Sequence, residues 1–600
     1  MKRLLGATMV TLLLTAGSAS AGPLGLDDCR ETQGVYECSG TVKSWDGVPL
    51  DTTVVLPASH ARKRALVAEI HGFGNSKYEY LDPESTAYTD NAYAWAREGY
   101  AVLAYSARGL WGSCGTPESR AADPLGCARG YVHLADARYE VRDTQALIGR
   151  LVDDGYVAKK RIGVTGDSYG GGQSLMLAAL RDRMMLPGGR LVRWHSPDGT
   201  PLSIAAAAPV IPWSDLVTAA APNGKVTANG ITDRRTATNP VGVVKTKFIT
   251  GISLAARLAL GPGQPIGEPF VFGRPMGFVA PADADPDADI ASLIARTDQG
   301  EPYSDPESRS IVSDLVRFHS AYYIDPGSKP PPLFLASGFT DDLFPVDEVL
   351  RYANRTRKLY PRSPVSIRLG DFGHQRASND PVERKRLLQG IHRWFDHYLR
   401  DAKRKPARGV TAYIQTCPKE RESIGPFRAA TFAKLSHRRL TSTFKKPRSI
   451  TSDGGDPAVG NALDPLGGGG DGCIETPWAT ATGTARYKLQ KVGKRSVSLL
   501  GAPKLSARLK VTGVAPGVAQ LASRLWDVAP DGESQRLIAR GLSRPADGKN
   551  TWELHPAAWR AQAGHTIELE LLGNDAPTSR PANGDYEVTV SDLRVVLPAR

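Results

Sequence analysis

Five consecutive residues constrain this chain more than any other feature: Gly166-Asp167-Ser168-Tyr169-Gly170. They fall between an apolar, strand-like run over 161–165 and a small-residue, helical run over 172–181. A G-x-S-x-G pentapeptide that passes from strand to helix marks a turn so sharp that its serine is held in a strained backbone conformation. Side chains flanking that serine would clash, which is the physical reason for Gly166 and Gly170, while Gly171 and Gly172 let the helix approach the sheet. The turn presents the serine hydroxyl at the top of a sheet, where a nucleophile belongs.

The chain between 50 and 399 supplies such a sheet. Strand-like runs at 65–70, 100–105, 161–165, 204–209, 332–336 and 365–369 alternate with helical stretches at 92–98, 136–153, 172–181, 346–359 and 381–399. That rhythm predicts an α/β domain with a mainly parallel sheet. Together with the serine turn it predicts the α/β-hydrolase fold. In the last helix, Trp394, Phe395 and Tyr398 recur at spacings that dock one face on a core. Residues 213–326 break the rhythm with many Gly and Pro, a small-residue helical run at 254–260 and an acidic loop at 283–289, and are expected to form an inserted helical cap. Past 405 the texture changes to short alternating runs at 411–415, 504–511, 521–528, 536–542, 565–571 and 586–596. These predict an all-β sandwich over 406–600, leaving 22–405 for the α/β-hydrolase domain.

A serine hydroxyl is a poor nucleophile at neutral pH without an adjacent base. His374, in Gly370-Asp371-Phe372-Gly373-His374, follows the strand at 365–369, where the last triad member of this fold belongs. His392 and His397 fall within a helix, and His195 and His319 lie in or beside the cap. The acid should follow an earlier strand, and the loop at 338–345 offers Asp341, with the adjacent Asp342 as its rival. Asp341 stands three residues after Gly338 and four before Pro345. The order Ser168, Asp341, His374 is that of the fold. The oxyanion of an acyl-transfer intermediate needs donors. The backbone N–H groups of Tyr169 and of Phe73, in His71-Gly72-Phe73-Gly74, are the candidates.

The amino terminus speaks to location. Met1-Lys2-Arg3, an apolar run over 4–16 and Ala19-Ser20-Ala21 read as a secretory signal peptide over 1–21, too short in its apolar part for a membrane span. A secreted, extracytoplasmic protein is expected. The six cysteines, Cys29, Cys38, Cys114, Cys127, Cys417 and Cys473, all follow that segment. Six cysteines allow fifteen connectivities. Sequence neighbours favour Cys29–Cys38 and Cys114–Cys127, leaving Cys417–Cys473. CxxC spacing is absent, and Gly467–Gly470 lacks the GK[ST] ending of a phosphate loop and reads as a surface turn. No metal and no cofactor are therefore expected. The formal charge of +13 is carried by scattered short basic runs without aromatic interleaving. This argues against a nucleic-acid partner and allows loose association with an anionic cell surface. The expected partner is a small ester, amide or short peptide substrate.

With these residues in hand, the chain resembles the X-Pro dipeptidyl-peptidase and cocaine-esterase-like hydrolases. The similarity lies in Gly166–Gly171, in Ala107-Arg108-Gly109 before Gly112-Ser113, in the Gly-x-x-Asp acid loop, and in Trp394-Phe395-Asp396. It extends to Leu521-Ala522-Ser523-Arg524-Leu525-Trp526-Asp527-Val528, followed by Gly532 and Arg540-Gly541. The resemblance implies that the carboxyl-terminal part is a jelly-roll domain that packs against the hydrolase. It also implies cleavage of ester, amide or X-Pro dipeptidyl bonds through an acyl-enzyme. Two departures stand out. Gly72-Phe73-Gly74 replaces a frequent Pro-Tyr-Gly whose tyrosine binds the oxyanion, so a backbone donor or a nearby tyrosine such as Tyr78 must serve. Ser106-Ala107 stands where an Asp often precedes the Arg-Gly pair. An aminopeptidase would also need a carboxylate for the substrate's ammonium, for which Asp215 and the acidic loop at 283–289 are the candidates. The rival class is a non-catalytic, carbohydrate-binding surface protein with a vestigial hydrolase domain, using Trp526 and Trp552 as stacking platforms.

Overall fold

A computed structural model describes residues 22–59, 63–85, 87–224, 241–261, 263–327, 329–374, 376–377, 380–464 and 471–600. The expected signal peptide and the glycine turn at 467–470 lie outside the described residues. The chain enters through an antiparallel ribbon of β1 (Asp28–Thr32), β2 (Val35–Lys43) and β3 (Pro49–Pro57). Then come β4 (Arg64–Ile70), β5 (Ala101–Tyr105) and β6 (Val157–Asp167), and a small hairpin of β7 (Arg183–Met185) and β8 (Leu191–Arg193). The sheet is completed by β9 (Ala206–Val210), β10 (Leu333–Gly338), β11 (Val365–Gly370), β12 (Gly409–Ile414) and β13 (Ile424–Ala429). Its eleven strands run in the order β1-β2-β3-β5-β4-β6-β9-β10-β11-β12-β13, and the seven from β5 to β12 are parallel to one another.

Period-two alternation builds a core on each face of this sheet. In β4, Leu66, Ala68 and Ile70 point into one core with Leu147, Ile148, Leu175 and Leu177 of the helices Glu140–Asp153 and Tyr169–Leu180. The intervening Ala65 and Val67 point into the other, beneath Trp95 of Ala92–Arg97 and Ile391, Trp394 and Phe395 of Pro381–Arg400. Strands covered on both faces read as unbroken apolar runs, as Ala101–Tyr105 and Ala206–Val210 do. This is the α/β-hydrolase fold.

One strand assignment needs correction. The run at 411–415, whose alternation suggested a sandwich strand, falls on β12 as far as Ile414, and β12 pairs in parallel with β11 from Ser366 opposite Gly409 to Leu369 opposite Ala412. β13 then pairs antiparallel to it, so the large sheet continues to Ala429, past the boundary expected near 405. The alternation has a physical origin: β12 is next to the edge strand, and its burial alternates near its start. The helix expected at 254–260 also differs, since Thr246–Ala255 ends where that run begins.

Between β9 and β10 the chain forms the helices Leu216–Ala220, Thr246–Ala255, Ile290–Gln299 and Pro306–Phe318. The carboxyl-terminal part is an antiparallel β-sandwich. One sheet has seven strands with Glu587–Ala599 in its midst, and the other runs Glu475–Pro477, Ser534–Ser543, Leu521–Val528, Thr566–Leu572, Ala485–Lys491. Leu505, Leu525, Trp552, Leu569, Val588 and Val595 meet between them. Trp526 and Trp552 are buried, their indole N–H groups donating to Glu570 and Ser523, so neither is an exposed platform for a sugar. Disulfides join Cys29 to Cys38, Cys114 to Cys127 and Cys417 to Cys473.

Candidate active site

β6 ends at Asp167 and the next helix begins at Tyr169, so the chain reverses at Ser168, whose φ of 54° and ψ of −111° lie outside the regions side chains prefer. Strain of this kind costs about 1–3 kcal/mol and persists only where the surroundings impose it. Here the Ser168 N–H is tied to the Val210 carbonyl at 3.1 Å. The glycines are explained by what a Cβ would meet. On Gly166 it would lie 2.2 Å from the Ile70 carbonyl oxygen, and on Gly170 1.6 Å from the same atom. On Gly171 it would lie 2.3 Å from the Val210 carbonyl oxygen.

The loops after β10 and β11 bring two further side chains to Ser168. His374 Nε2 is 2.9 Å from Ser168 Oγ, and its Nδ1 is 2.8 Å from Asp341 Oδ2. The other oxygen of Asp341 accepts the N–H groups of Leu343 and Phe344 at 3.0 and 2.9 Å, so the buried carboxylate is held at both ends. Gly373 has a φ of +140°, and a Cβ there would sit 2.6 Å from Asp341 Oδ2. Asp342 has a different task. Its carboxylate receives two hydrogen bonds from Arg376 at 2.7 and 2.9 Å, with Arg540 of the sandwich at 3.6 Å. Burial alone would raise its pKa, but these guanidiniums outweigh it and hold the carboxyl at about 2.

Around Ser168 and His374 lies a cavity of about 210 Å³ walled by apolar side chains, among them Phe73, Trp213, Leu216, Phe248, Ile252 and Phe344. Tyr169 is the first residue of its helix, so its N–H has no acceptor within that helix. The Phe73 ring packs against the Tyr169 ring at 5.0 Å, which places the two candidate donor residues side by side. Tyr78 is not brought to the serine's cavity. It lines a separate cavity of about 920 Å³, together with Asp167, Glu79 and Phe372. The candidate carboxylates for an ammonium group are also elsewhere. Asp215 is buried, accepting from Tyr323 and from the N–H groups of Val217 and Thr218 at the start of a helix. Asp285 and Asp287 are engaged by Arg129, Arg138 and Tyr139. Asp283, Asp287 and Asp289 face another cleft, of about 370 Å³.

Four residues that the sequence did not single out brace this site. Tyr88 donates to the Gly373 carbonyl at 2.6 Å and accepts its N–H at 2.9 Å, gripping the residue before His374. Tyr80 donates to both Asp167 and the Ile70 carbonyl, and Glu79 accepts the Gly72 N–H at 2.6 Å. Burial, then the nearby charge of Asp167, pushes the Glu79 carboxyl well above its usual range. His71 donates from Nδ1 to the Gly72 carbonyl and accepts the Ala107 N–H at Nε2, and burial lowers its pKa to about 4, which keeps the ring neutral. The only local clue was the position of His71 beside Gly72-Phe73-Gly74. Among the described residues there is no group of three or more His, Cys, Asp or Glu that could hold a metal ion.

Residues 46–185 match the family described as X-Pro dipeptidyl-peptidase (S15 family). Over that stretch, which holds the Gly166–Gly170 turn, the chain is similar to this family of hydrolases. Its fold is shared with a CocE/NonD family hydrolase from Staphylococcus aureus at 12% identity and a TM-score of 0.57, covering 94% of each chain. An α-amino acid ester hydrolase aligns at 13% identity and a TM-score of 0.56, covering 99% of this chain and 100% of its own. An aminopeptidase from the marine sediment archaeon Thaumarchaeota archaeon aligns at 12% identity and a TM-score of 0.59, covering 95% and 97%. No curated protein matches the chain. At these identities the likeness concerns the fold, sandwich included.

Proposed function

We propose that this hydrolase uses Ser168 as nucleophile, His374 as base and Asp341 as the acid that orients it, and cleaves esters or amides of small, uncharged, apolar acids. The observation that carries the reading is the unbroken hydrogen-bonded line from Ser168 Oγ through both imidazole nitrogens to Asp341. Ser168 Oγ attacks the substrate carbonyl while His374 Nε2 takes its proton. Asp341 holds Nδ1–H, fixing the tautomer and stabilising the imidazolium that forms. The oxyanion is received by the N–H groups of Tyr169 and Phe73. The proton returned by His374 leaves with the alcohol or amine, and water repeats the sequence to free the acid.

The walls of the cavity support the choice of acyl group. Side chains such as Phe73, Trp213, Phe248 and Phe344 surround Ser168, and among the described residues no carboxylate lines that cavity. A peptide's terminal ammonium would be desolvated there without a counter-charge, at a cost of several kcal/mol. This favours ester cleavage over X-Pro dipeptide release. Three disulfides support work in an oxidising compartment outside the cytoplasm. Among the described residues no helix is long and apolar enough to cross a membrane.

The test pairs Ser168→Ala with a substrate panel. The variant should lose turnover of p-nitrophenyl butyrate and labelling by a fluorophosphonate probe, with an unchanged circular dichroism spectrum. The wild type should turn over that ester far faster than Ala-Pro-p-nitroanilide. Retained labelling in Ser168→Ala would discard the assignment of the nucleophile, and faster release of the anilide would discard the assignment of the acyl group.

A further inference from the structure

Among the described residues, nine large apolar side chains are exposed, and six of them lie between 254 and 272: Leu254, Leu260, Ile266, Phe270, Val271 and Phe272. Scattered exposed apolar residues are ordinary, but six within one short segment are not. Phe272 is 72% exposed, Ile266 56% and Val271 54%, so the segment does not simply fold them under itself. Through Ala255 and Leu260 the same segment walls the cavity at Ser168, beside Gly251 and Ile252 just before it. Leu260 is exposed and also lines the cavity, so the apolar surface and the cavity at the candidate nucleophile share a residue.

The charges nearby indicate what such a surface meets. Arg257 is exposed within it and has no ion pair among the described residues, and Arg274 follows it, paired to Glu268 at 2.8 Å. The chain as a whole carries +13. Apolar side chains that insert shallowly, flanked by cations on a basic protein, are the pairing that binds anionic lipid surfaces. A second copy of this chain would bring the same positive charge against itself, which opposes self-association at low salt.

We propose that the face formed by Ile266, Phe270, Val271 and Phe272 docks on an anionic lipid surface. Docked in this way, the enzyme draws apolar esters from the lipid phase past Leu260 to Ser168. The choice of substrate source rests on the serine-hydrolase reading above; the docking itself does not.

The experiment uses flotation with vesicles of phosphatidylglycerol and of phosphatidylcholine, and the full mature chain. The wild type should float with phosphatidylglycerol vesicles at low salt, release as salt rises, and bind phosphatidylcholine more weakly. Phe270→Ser/Val271→Ser/Phe272→Ser removes three consecutive exposed apolar side chains of this face, none of which lines the cavity at Ser168. It should lose at least about tenfold in vesicle affinity, while turnover of soluble p-nitrophenyl acetate is unchanged. Ser168→Ala should float as the wild type does. In the wild type the two ideas separate, because docking without turnover would fail only the catalytic reading, and turnover without docking would fail only this one. Wild-type protein that stays below the vesicles would overturn the proposal, as would a triple variant that binds equally well. A dimer in sedimentation velocity that the triple variant dissociates would overturn it too, by showing that a second copy covers the face.

Discussion

At the scale of single residues, the neighbouring carboxylates Asp341 and Asp342 illustrate how position alone decides role. Both are buried and both sit in one turn after β10, yet one reaches an imidazole and the other a pair of guanidiniums. Replacing each by its amide should therefore give opposite phenotypes. Asp341→Asn leaves the loop's shape but cannot hold the imidazole in the right tautomer, and kcat should fall roughly 10³- to 10⁴-fold with little loss of stability. Asp342→Asn leaves Arg376, itself buried, without a counter-charge, and stability should fall by about 3 kcal/mol while kcat is much less affected. Kinetics and urea unfolding of the two variants check this directly. Stability lost only in Asp341→Asn, or kcat lost equally in both, would show the roles to be misassigned. The spacing from Gly338 and Pro345 made Asp341 the better candidate in the sequence. It did not exclude Asp342, because what separates them is Arg376 and Arg540, whose approach depends on the folded chain.

At the scale of elements, His392 makes the helix Pro381–Arg400 sensitive to pH. Its ring stacks on Trp95 at 3.9 Å and lies between Asp90 at 3.1 Å and Glu98 at 2.9 Å, which flank the helix Ala92–Arg97. Burial alone would favour the neutral ring, but hydrogen bonds to the two carboxylates outweigh it and raise the pKa to about 9. A folded-state pKa above the unfolded value stabilises the fold fully below about pH 6.5. The contribution is then lost as pH rises through about 9. The stability difference between wild type and His392→Gln should accordingly be largest near pH 6 and shrink toward pH 9.5, measured by chemical denaturation across that range. A difference that is flat or grows with pH would contradict the ionic role. The sequence showed this helix and its docking face, because an amphipathic period needs only local residues. It also showed the serine turn, whose glycines and flanking strand are contiguous. It did not reveal Tyr88, which grips a backbone group 285 residues away, nor Glu79, whose partner is a loop amide. Such braces have no periodicity and no motif. For β12 the pattern was read but its partner was not, since alternation marks a strand with one covered face and leaves open which sheet owns it.

At the scale of the whole molecule, the sandwich is bound to the rest by buried charges as well as by apolar contact. Glu301, just before the last helix preceding β10, receives Arg544 at 2.6 Å, Arg580 at 3.3 Å and the Gln520 amide at 2.9 Å, all from the sandwich. Arg544 also donates to the carbonyls of Gly242 and Val518, so one guanidinium ties three segments together. A little further along, His555 pairs with Asp347 at 2.8 Å, and Arg540 reaches Asp342 in the loop that holds Asp341. Removing one partner of a buried pair costs about 3–5 kcal/mol, because the other charge is left desolvated. In Glu301→Gln that penalty falls on the contact between the two parts and spares the core of either. The expected outcome is that calorimetry of the wild type shows the hydrolase and sandwich unfolding together, whereas Glu301→Gln shows an earlier transition that separates from the main one. Activity below that transition should be retained, since Ser168, His374 and Asp341 are held by their own loops. Arg544→Met should restore part of the loss when combined with Glu301→Gln, because removing both charges abolishes the desolvation penalty that removing one creates. If the double variant is no more stable than Glu301→Gln alone, the cost resides in lost packing, and the charges do not govern how the two parts hold together.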